Sequence, residues 1–423
     1  MAIHWQIIIM LLLGGLFGYL FPHLTRYTNW MGDLFLRALN MIIVPLILFS
    51  ISTGVASVGT ADNLGRLGLK TMGFYVISTL IAVVTGLFFV QLIKPGVGAE
   101  LGLQVPVDEI RTGSESFGQT LLKIVPSNIF QSMAEGHMLS IIFFAILVGF
   151  FITRIGEKPR TLLMDVFNAF LDVIMKITLF VIKFTPLGIF SISAKVIAQQ
   201  ILAGNEVSEV ISRLGIYFVT VLLGLLVHSM ITLPLSVRLI GRVNPFKHMK
   251  NMATPLLTAF STSSSNATLP LTMEAVEEND GVSNKIASFT LPLGATINMN
   301  GTALYECVAV MFIAQAYGID LTIGQQIVVI FTALLAAIGS AGIPMAGLVM
   351  MAVVLNAVGL PLEGIGLILA VDRVLDMFRT AINVYGDTCA AVIIAKSEGE
   401  TLKIQHGAWG MEHGADVSVK RRA

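Results

Sequence analysis

Five polar residues recur along one apolar stretch near the C-terminus: Asp372, Asp376, Arg379, Asn383 and Asp387, at intervals of 4, 3, 4 and 4. At about 100° per residue, a helix carries all of them within roughly 80° of one face. Ionised groups at membrane depth are costly and mark functional sites whose partners must be found. Arg379 offers a planar fork suited to a bidentate carboxylate, and Asp376 a fixed anion suited to an ammonium group. A ligand with both charges, such as an acidic amino acid, fits that pair. Asp387 has no basic neighbour in sequence, so a bound cation is its natural counter-charge. Hard cations take oxygen ligands, and the motif Asn298-Met299-Asn300-Gly301-Thr302 can supply them. Gly301 there predicts local unwinding that would expose backbone carbonyls. The competing reading is a salt-bridge ladder of Asp372, Asp376 and Arg379 that only holds helices together. It leaves Asn383 and Asp387 without partners.

These residues need a membrane to be unusual, and the composition supplies it. Of 423 residues, 55% are hydrophobic and 12% charged, about half the charged share of a soluble domain. Mean hydropathy is +0.83. A spanning helix needs about 20 mostly apolar residues. Trp5–Phe21, Gly32–Val58, Leu69–Ile93, Leu139–Ile155, Ile211–Leu239, Lys285–Tyr317 and Gly364–Ala395 meet that need. Leu162–Ile189 makes an eighth span, more amphipathic because Asp165, Asp172, Lys176 and Lys183 are spaced along it. Trp5–Phe21 lacks a basic leader and a small-residue cleavage site, so it reads as a retained helix.

Two segments fit badly as spans. Leu256–Met273 carries Ser-Thr-Ser-Ser-Ser-Asn-Ala-Thr before Pro270, and Ile327–Leu355 is interrupted by Gly339-Ser340-Ala341-Gly342-Ile343-Pro344. Irregular backbone at membrane depth is tolerated where it lines a cavity or is buried in protein, and paired interruptions point to a transporter binding site. Both are read as re-entrant hairpins, against the alternative of two kinked spans. With a cytoplasmic N-terminus, Arg66, Lys70, Arg154, Lys158, Arg160, Arg238, Arg242, Lys247 and Lys250 fall inside, with acidic Glu100, Asp108, Glu109 and Glu115 outside. That agrees with the positive-inside rule. The first hairpin then opens from the cytoplasm and the second from outside.

Several function classes fall away. Zero formal net charge gives no basis for nucleic-acid binding. The two cysteines, Cys307 and Cys389, form no disulfide framework or metal spacing. No nucleophile–base pair or metal-ligand cluster suggests an enzyme. A channel needs a continuous polar pore, whereas these polar residues converge on one depth.

Taken together, the Thr262–Pro270 run, the Asn298–Thr302 motif, Ser340–Pro344 and Asp376 through Asp387 resemble the dicarboxylate/amino acid:cation symporter family, which includes glutamate transporters. The resemblance runs from the first helix to about Ala395. It implies an all-α integral membrane fold of eight transmembrane helices and two re-entrant helical hairpins, with the inverted repeats described for that family. It implies scaffold helices at 1–68 and 98–205, the latter including an outer loop. Transport-domain helices fall at 69–97 and 206–244, the first hairpin at 245–282, helix 7 at 283–320, the second hairpin at 321–358 and helix 8 at 359–396. A cytoplasmic tail follows at 397–423. A homotrimer in a prokaryotic inner membrane is expected, with an acidic amino acid as substrate and sodium as cotransported ion. There is no organic cofactor.

By the same resemblance, Ser264, Ser265, Ala341 and Gly342 contact substrate at the hairpin tips. Asp376 holds the amine, Arg379 the side-chain carboxylate, and Thr380 and Asn383 complete the site. Sodium ligands are Asp387 with Gly294, Asn298 and Asn383. A second ion lies near Thr296 and Ser340, and a third at Ser78, Thr79, Asn298 and Asn300. Asn300 stands where the family pattern has aspartate, so the third site lacks a full negative charge. Glu306 matches a proton-carrying glutamate. Its alternative is a protonated glutamate hydrogen-bonded to a neighbouring helix. A C4-dicarboxylate or proton-only glutamate symporter is the rival function, although an amine-free dicarboxylate would meet repulsion at Asp376.

Overall fold

A computed structural model describes residues 3–58, 65–98, 124–202, 207–338 and 346–404. The chain is helical throughout these segments, with no strand pairing into a sheet among them. In order, the helices are α1 (Ile3–Leu20), α2 (Asn29–Val58), α3 (Gly65–Ile93), α4 (Ile129–Glu135), α5 (Met138–Ile152), α6 (Glu157–Ile182) and α7 (Thr185–Leu202). Then come α8 (Val207–Val227), α9 (Leu233–Leu239), α10 (Pro245–Asn251), α11 (Ala253–Thr262), α12 (Ser265–Ala275) and α13 (Asn284–Ile297). The last are α14 (Asn300–Ala316), α15 (Ile323–Ile338), α16 (Ala346–Ala357) and α17 (Ile365–Ser397).

Among the described residues, four stretches are long and apolar enough to cross a membrane by themselves: Asn29–Ser57, Arg66–Ile93, Ile211–Leu239 and Asn284–Ala316. The pair α6 and α7 meets the same test as one span bent by 50°. That bend corrects the expected span Leu162–Ile189. Helix α6 ends at Ile182, and Pro186, which has no N–H to donate, lies in the first turn of α7, where a missing donor costs nothing. Helix α17 has 33 residues, about 50 Å of helix, so it outreaches a hydrocarbon core of about 30 Å.

Small residues set the close helix contacts. Gly14 and Gly18 of α1 face α7, where an added Cβ would lie 2.3 Å from the carbonyl oxygens of Phe190 and Ala194. This is the small-residue packing that membrane helices use in place of hydrophobic exclusion. Helices α1, α2, α5, α6 and α7 pack largely on one another. They turn Leu12, Leu16, Leu20, Met41 and Phe170 outward, as lipid-facing surfaces do.

The second group centres on α14, whose residues are all buried except Gln315. It packs against α3, α8, α15, α16 and α17. Helices α11 and α12 form an antiparallel hairpin against α17. At its tip Ser263 takes the left-handed conformation with φ 52°, and Ser264 caps α12 by accepting from the Ala267 N–H at 3.2 Å. Helices α15 and α16 pair likewise, and their tip lies outside the described residues. The base of the first hairpin is pinned by a buried contact, His248 Nδ1 to Asp280 Oδ2 at 2.6 Å. The other ring nitrogen, Nε2, lies 3.1 Å from Thr388 Oγ1 on α17.

Candidate functional site

Helix α17 carries the polar stripe into the protein, and all five of its residues are buried. Its outer part forms a charge cluster. Arg379 is 1% exposed, and its Nη2 donates to Asp376 Oδ1 at 2.8 Å. Asp372 Oδ1 lies 3.2 Å from Arg379 Nη1, an ion pair without hydrogen-bond geometry. The guanidinium carbon sits 3.7 Å from the Tyr305 ring centroid on α14, a cation–π contact that orients the fork. From α16, Gly347 approaches the same group, and a Cβ there would lie 3.1 Å from Nη1. Arg379 Nε and Nη1 have no hydrogen-bond partner among the described residues. Two unspent donors on a buried guanidinium are a fork waiting for acceptors.

The inner part of the stripe uses amides. The α13–α14 break falls at Asn298 and Met299, whose backbones leave the helical region. This corrects the unwinding expected at Gly301, which lies inside α14. Gly301 serves close approach instead: a Cβ would lie 2.9 Å from the Arg379 carbonyl oxygen. Its N–H donates to Asn383 Oδ1 at 2.8 Å. Asn383 Nδ2 in turn donates to Thr302 Oγ1 at 3.1 Å and to Met299 Sδ at 3.2 Å. One turn on, Asp387 Oδ1 accepts from Asn298 Nδ2 at 2.8 Å, while Asn298 Oδ1 has no partner among the described residues. Asp387 makes no ion pair among those residues. At Gly294 an added Cβ would lie 2.3 Å from Asp387 Oδ1, so this backbone lies directly against the carboxylate. A carboxylate, an unspent amide oxygen and a close-packed backbone suit a hard cation.

Comparison with known proteins adds the decisive observation. Residues 3–397 match the model of the Sodium:dicarboxylate symporter family. The chain belongs to that family. It is 39% identical over 429 residues to the human protein "Excitatory amino acid transporter 3", covering 89% of this chain and 80% of that one. It is 36% identical over 410 residues to the "Proton/sodium-glutamate symport protein" of Geobacillus stearothermophilus, covering 94% of each. The "Proton/glutamate-aspartate symporter" of Escherichia coli is 33% identical over 414 residues, covering 94% of this chain and 93% of that one.

Membership makes the chain an all-α, multi-pass transporter of the cell membrane with the glutamate-transporter fold. Beyond Asp387, Asn298, Gly294 and Glu306, the expected site residues fall into three groups. Asp376, Arg379, Thr380 and Asn383 are brought together on α17, with Ser264 and Ser265 on the hairpin that packs against it. Thr380 spends its hydroxyl on the Asp376 carbonyl oxygen at 2.8 Å. Ser78, Thr79 and Asn300 also converge: Thr79 Oγ1 donates to Asn300 Oδ1 at 2.6 Å, and Asn300 Nδ2 lies 3.4 Å from Ser78 Oγ. Ser340, Ala341 and Gly342 lie outside the described residues, and Thr296 is exposed with its hydroxyl donating to the Leu293 carbonyl at 3.0 Å. The second sodium position is therefore not assembled from described residues.

Sequence reasoning missed His228. It sits in a π-helical turn at His228–Thr232, fully buried, with Nε2 3.3 Å from Asn300 Nδ2. Such turns often mark functional positions, but the chain alone gives no sign that residues 228 and 300 meet. Tyr305 was missed for the same reason. Glu306 is 0% exposed, and neither carboxyl oxygen has a partner among the described residues. A cavity of about 200 Å³ lies apart from the stripe, lined in part by Asn29, Asp33, Lys195, Tyr317 and Glu363.

Proposed function

We propose that the chain is a secondary active symporter that takes up L-aspartate and L-glutamate with sodium. The observation that carries this reading is Arg379, buried beside Asp376, with Nε and Nη1 lacking hydrogen-bond partners among the described residues. A carboxylate bound there replaces missing acceptors, and an ammonium group meets Asp376. The names of the relatives agree with that substrate class. The ligand leaves as it arrives, so no chemical step is assigned to the protein.

Coupling follows from charge. An acidic amino acid is net negative, and a potential of about −100 mV opposes its inward movement by roughly 2.3 kcal/mol. At least two accompanying cations are needed to make uptake electrically favourable. Asp387 with Asn298, Asn383 and the Gly294 carbonyl forms one cation position, as cargo sites rather than resident metal. A second is assigned to Thr296 together with Ser340, which lies outside the described residues. At the third, Asn300 already shares its amide with Thr79, Ser78 and His228, and it offers no formal charge. Cation binding there is weaker than at Asp387. Glu306, whose carboxyl oxygens have no hydrogen-bond partner among the described residues, supports a proton as an additional coupled ion.

Movement is assigned to the group built around α14: residues 69–97 and 206–396 travel against a scaffold of 1–68 and 98–205. The scaffold holds a homotrimer together. Ser264 and Ser265 on the first hairpin are assigned to substrate contact, as are Ala341 and Gly342, which lie outside the described residues.

The test is uptake of labelled L-aspartate, L-glutamate and succinate into proteoliposomes under an imposed sodium or proton gradient. Sodium-driven amino acid uptake with no succinate uptake is expected. Succinate uptake equal to that of aspartate overturns the role of Asp376. Uptake driven by protons alone moves the mechanism to Glu306.

A further inference from the structure

Asp376 is shared between two guanidinium groups. Arg379 reaches Oδ1 at 2.8 Å and Arg373 Nη1 reaches Oδ2 at 3.3 Å. The helix explains the symmetry. Arg373 precedes Asp376 by one turn and Arg379 follows it by one turn, so they flank the carboxylate by about 60° on opposite sides. The two differ in anchoring. Arg379 is 1% exposed, also faces Asp372 and stacks on Tyr305. Arg373 has a 15% exposed side chain, and among the described residues its ion pair is with Asp376. One arginine is fixed in place, and the other reaches in from the rim.

We propose that Arg373 is the resident counter-ion of Asp376, displaced when the ammonium group of the substrate docks. This rests on the amino acid reading above and adds a specificity residue to it. Asp372, Asp376, Arg373 and Arg379 sum to zero charge, so the ligand-free cluster is neutralised from within. An incoming ammonium competes with Arg373 for Oδ2 and leaves the Arg379 bond to Oδ1 intact. A ligand without an ammonium group cannot replace Arg373, so Arg373 stays on Asp376 and no exchange occurs. The same contact that neutralises the empty site sets a threshold that amine-bearing ligands alone can cross.

The experiment measures L-aspartate affinity of the purified full chain at fixed sodium, for wild type, Arg373→Gln, Arg373→Ala and Arg373→Lys, with succinate as competitor. Removing the guanidinium removes the competitor. Gln and Ala are therefore expected to tighten aspartate binding about two- to fivefold, scaled to a partly exposed ion pair. Both should weaken succinate competition, because the cluster of Asp372, Asp376 and Arg379 is left with a net negative charge. Lys restores values near wild type. A purely structural arginine would lower stability and affinity together, and neither Gln nor Ala would bind more tightly. Unchanged or weaker aspartate binding in both variants, with folded protein by thermal melting, overturns the counter-ion role. Absence of aspartate binding in wild type itself overturns the substrate reading instead.

Discussion

The two ends of the α17 stripe solve the same problem, a carboxylate far from water, by opposite means. At the outer end Asp372 and Asp376 face Arg373 and Arg379, so charge is matched by charge within one helix. At the inner end Asp387 faces the amide of Asn298, a dipole without net charge. The first cluster is complete in charge but has unspent hydrogen-bond donors. The second is hydrogen-bonded but short of one positive charge. On the proposed reading an acidic amino acid completes the first and a cation the second, so that one helix requires both cargoes at once.

The largest effect is expected where that division is sharpest. Arg379→Ala leaves Asp372 and Asp376 buried without their shared partner, and breaking a buried pair costs about 3–5 kcal/mol. Acidic amino acid affinity should fall by at least about a hundredfold. Neutral amino acids, which need no guanidinium, should lose far less. Equal losses for both ligand classes in a binding titration would mean the arginine holds the fold and not the substrate.

Asp387→Asn tests the inner end. It keeps the shape and removes the charge, and hydrogen bonds to charged groups contribute about 1.5–3 kcal/mol. The sodium concentration for half-maximal aspartate binding should rise about tenfold or more, with aspartate affinity at saturating sodium little changed. A sodium titration that superimposes on wild type removes Asp387 from the cation site.

Much of this division was legible in the sequence, because it lies on one helix. Spacing of 4, 3, 4 and 4 survives folding intact when the helix does, as α17 shows. Contacts between helices were less accessible. His228 meets Asn300 across 72 residues, and His248 meets Asp280 across 32, distances at which a single chain gives no pairing signal. Gly301 was misread because glycine has two uses, freedom of backbone and lack of Cβ, and only the packed structure distinguishes them. The α6–α7 bend was blurred because apolar residues continue through it and Pro186 reads equally as a kink or a start.

Gly301→Ala probes the joint between the two ends, since the added Cβ would lie 2.9 Å from the Arg379 carbonyl oxygen and 3.3 Å from Asn383 Oδ1. Overpacking of this kind costs about 1–3 kcal/mol. The ligand-free thermal midpoint should drop, and sodium and aspartate affinities should fall together because α14 and α17 are forced apart. A loss confined to one ligand would show that the clusters are held independently.

The smallest effect belongs to the far end of α17, where charge pairing is open to solvent. Glu398 receives Lys70 Nζ at 2.6 Å and also pairs with Arg66, tying the helix end to the start of α3. Lys70 first and Arg66 second hold its carboxyl below the usual carboxylate range. A depressed value means that the folded state favours the ionised form. Its contribution is fully present above the unfolded value of about 4.3, and it is lost as pH falls through the lower folded value. Exposed pairs are weak and screened by salt, so Glu398→Gln should lower the thermal midpoint only slightly at pH 7. That difference should shrink as pH drops below the carboxylate range and also as salt is raised. A gap that persists in acid would assign the tie to packing, and the contrast with the buried clusters of the same helix would then lose its electrostatic basis.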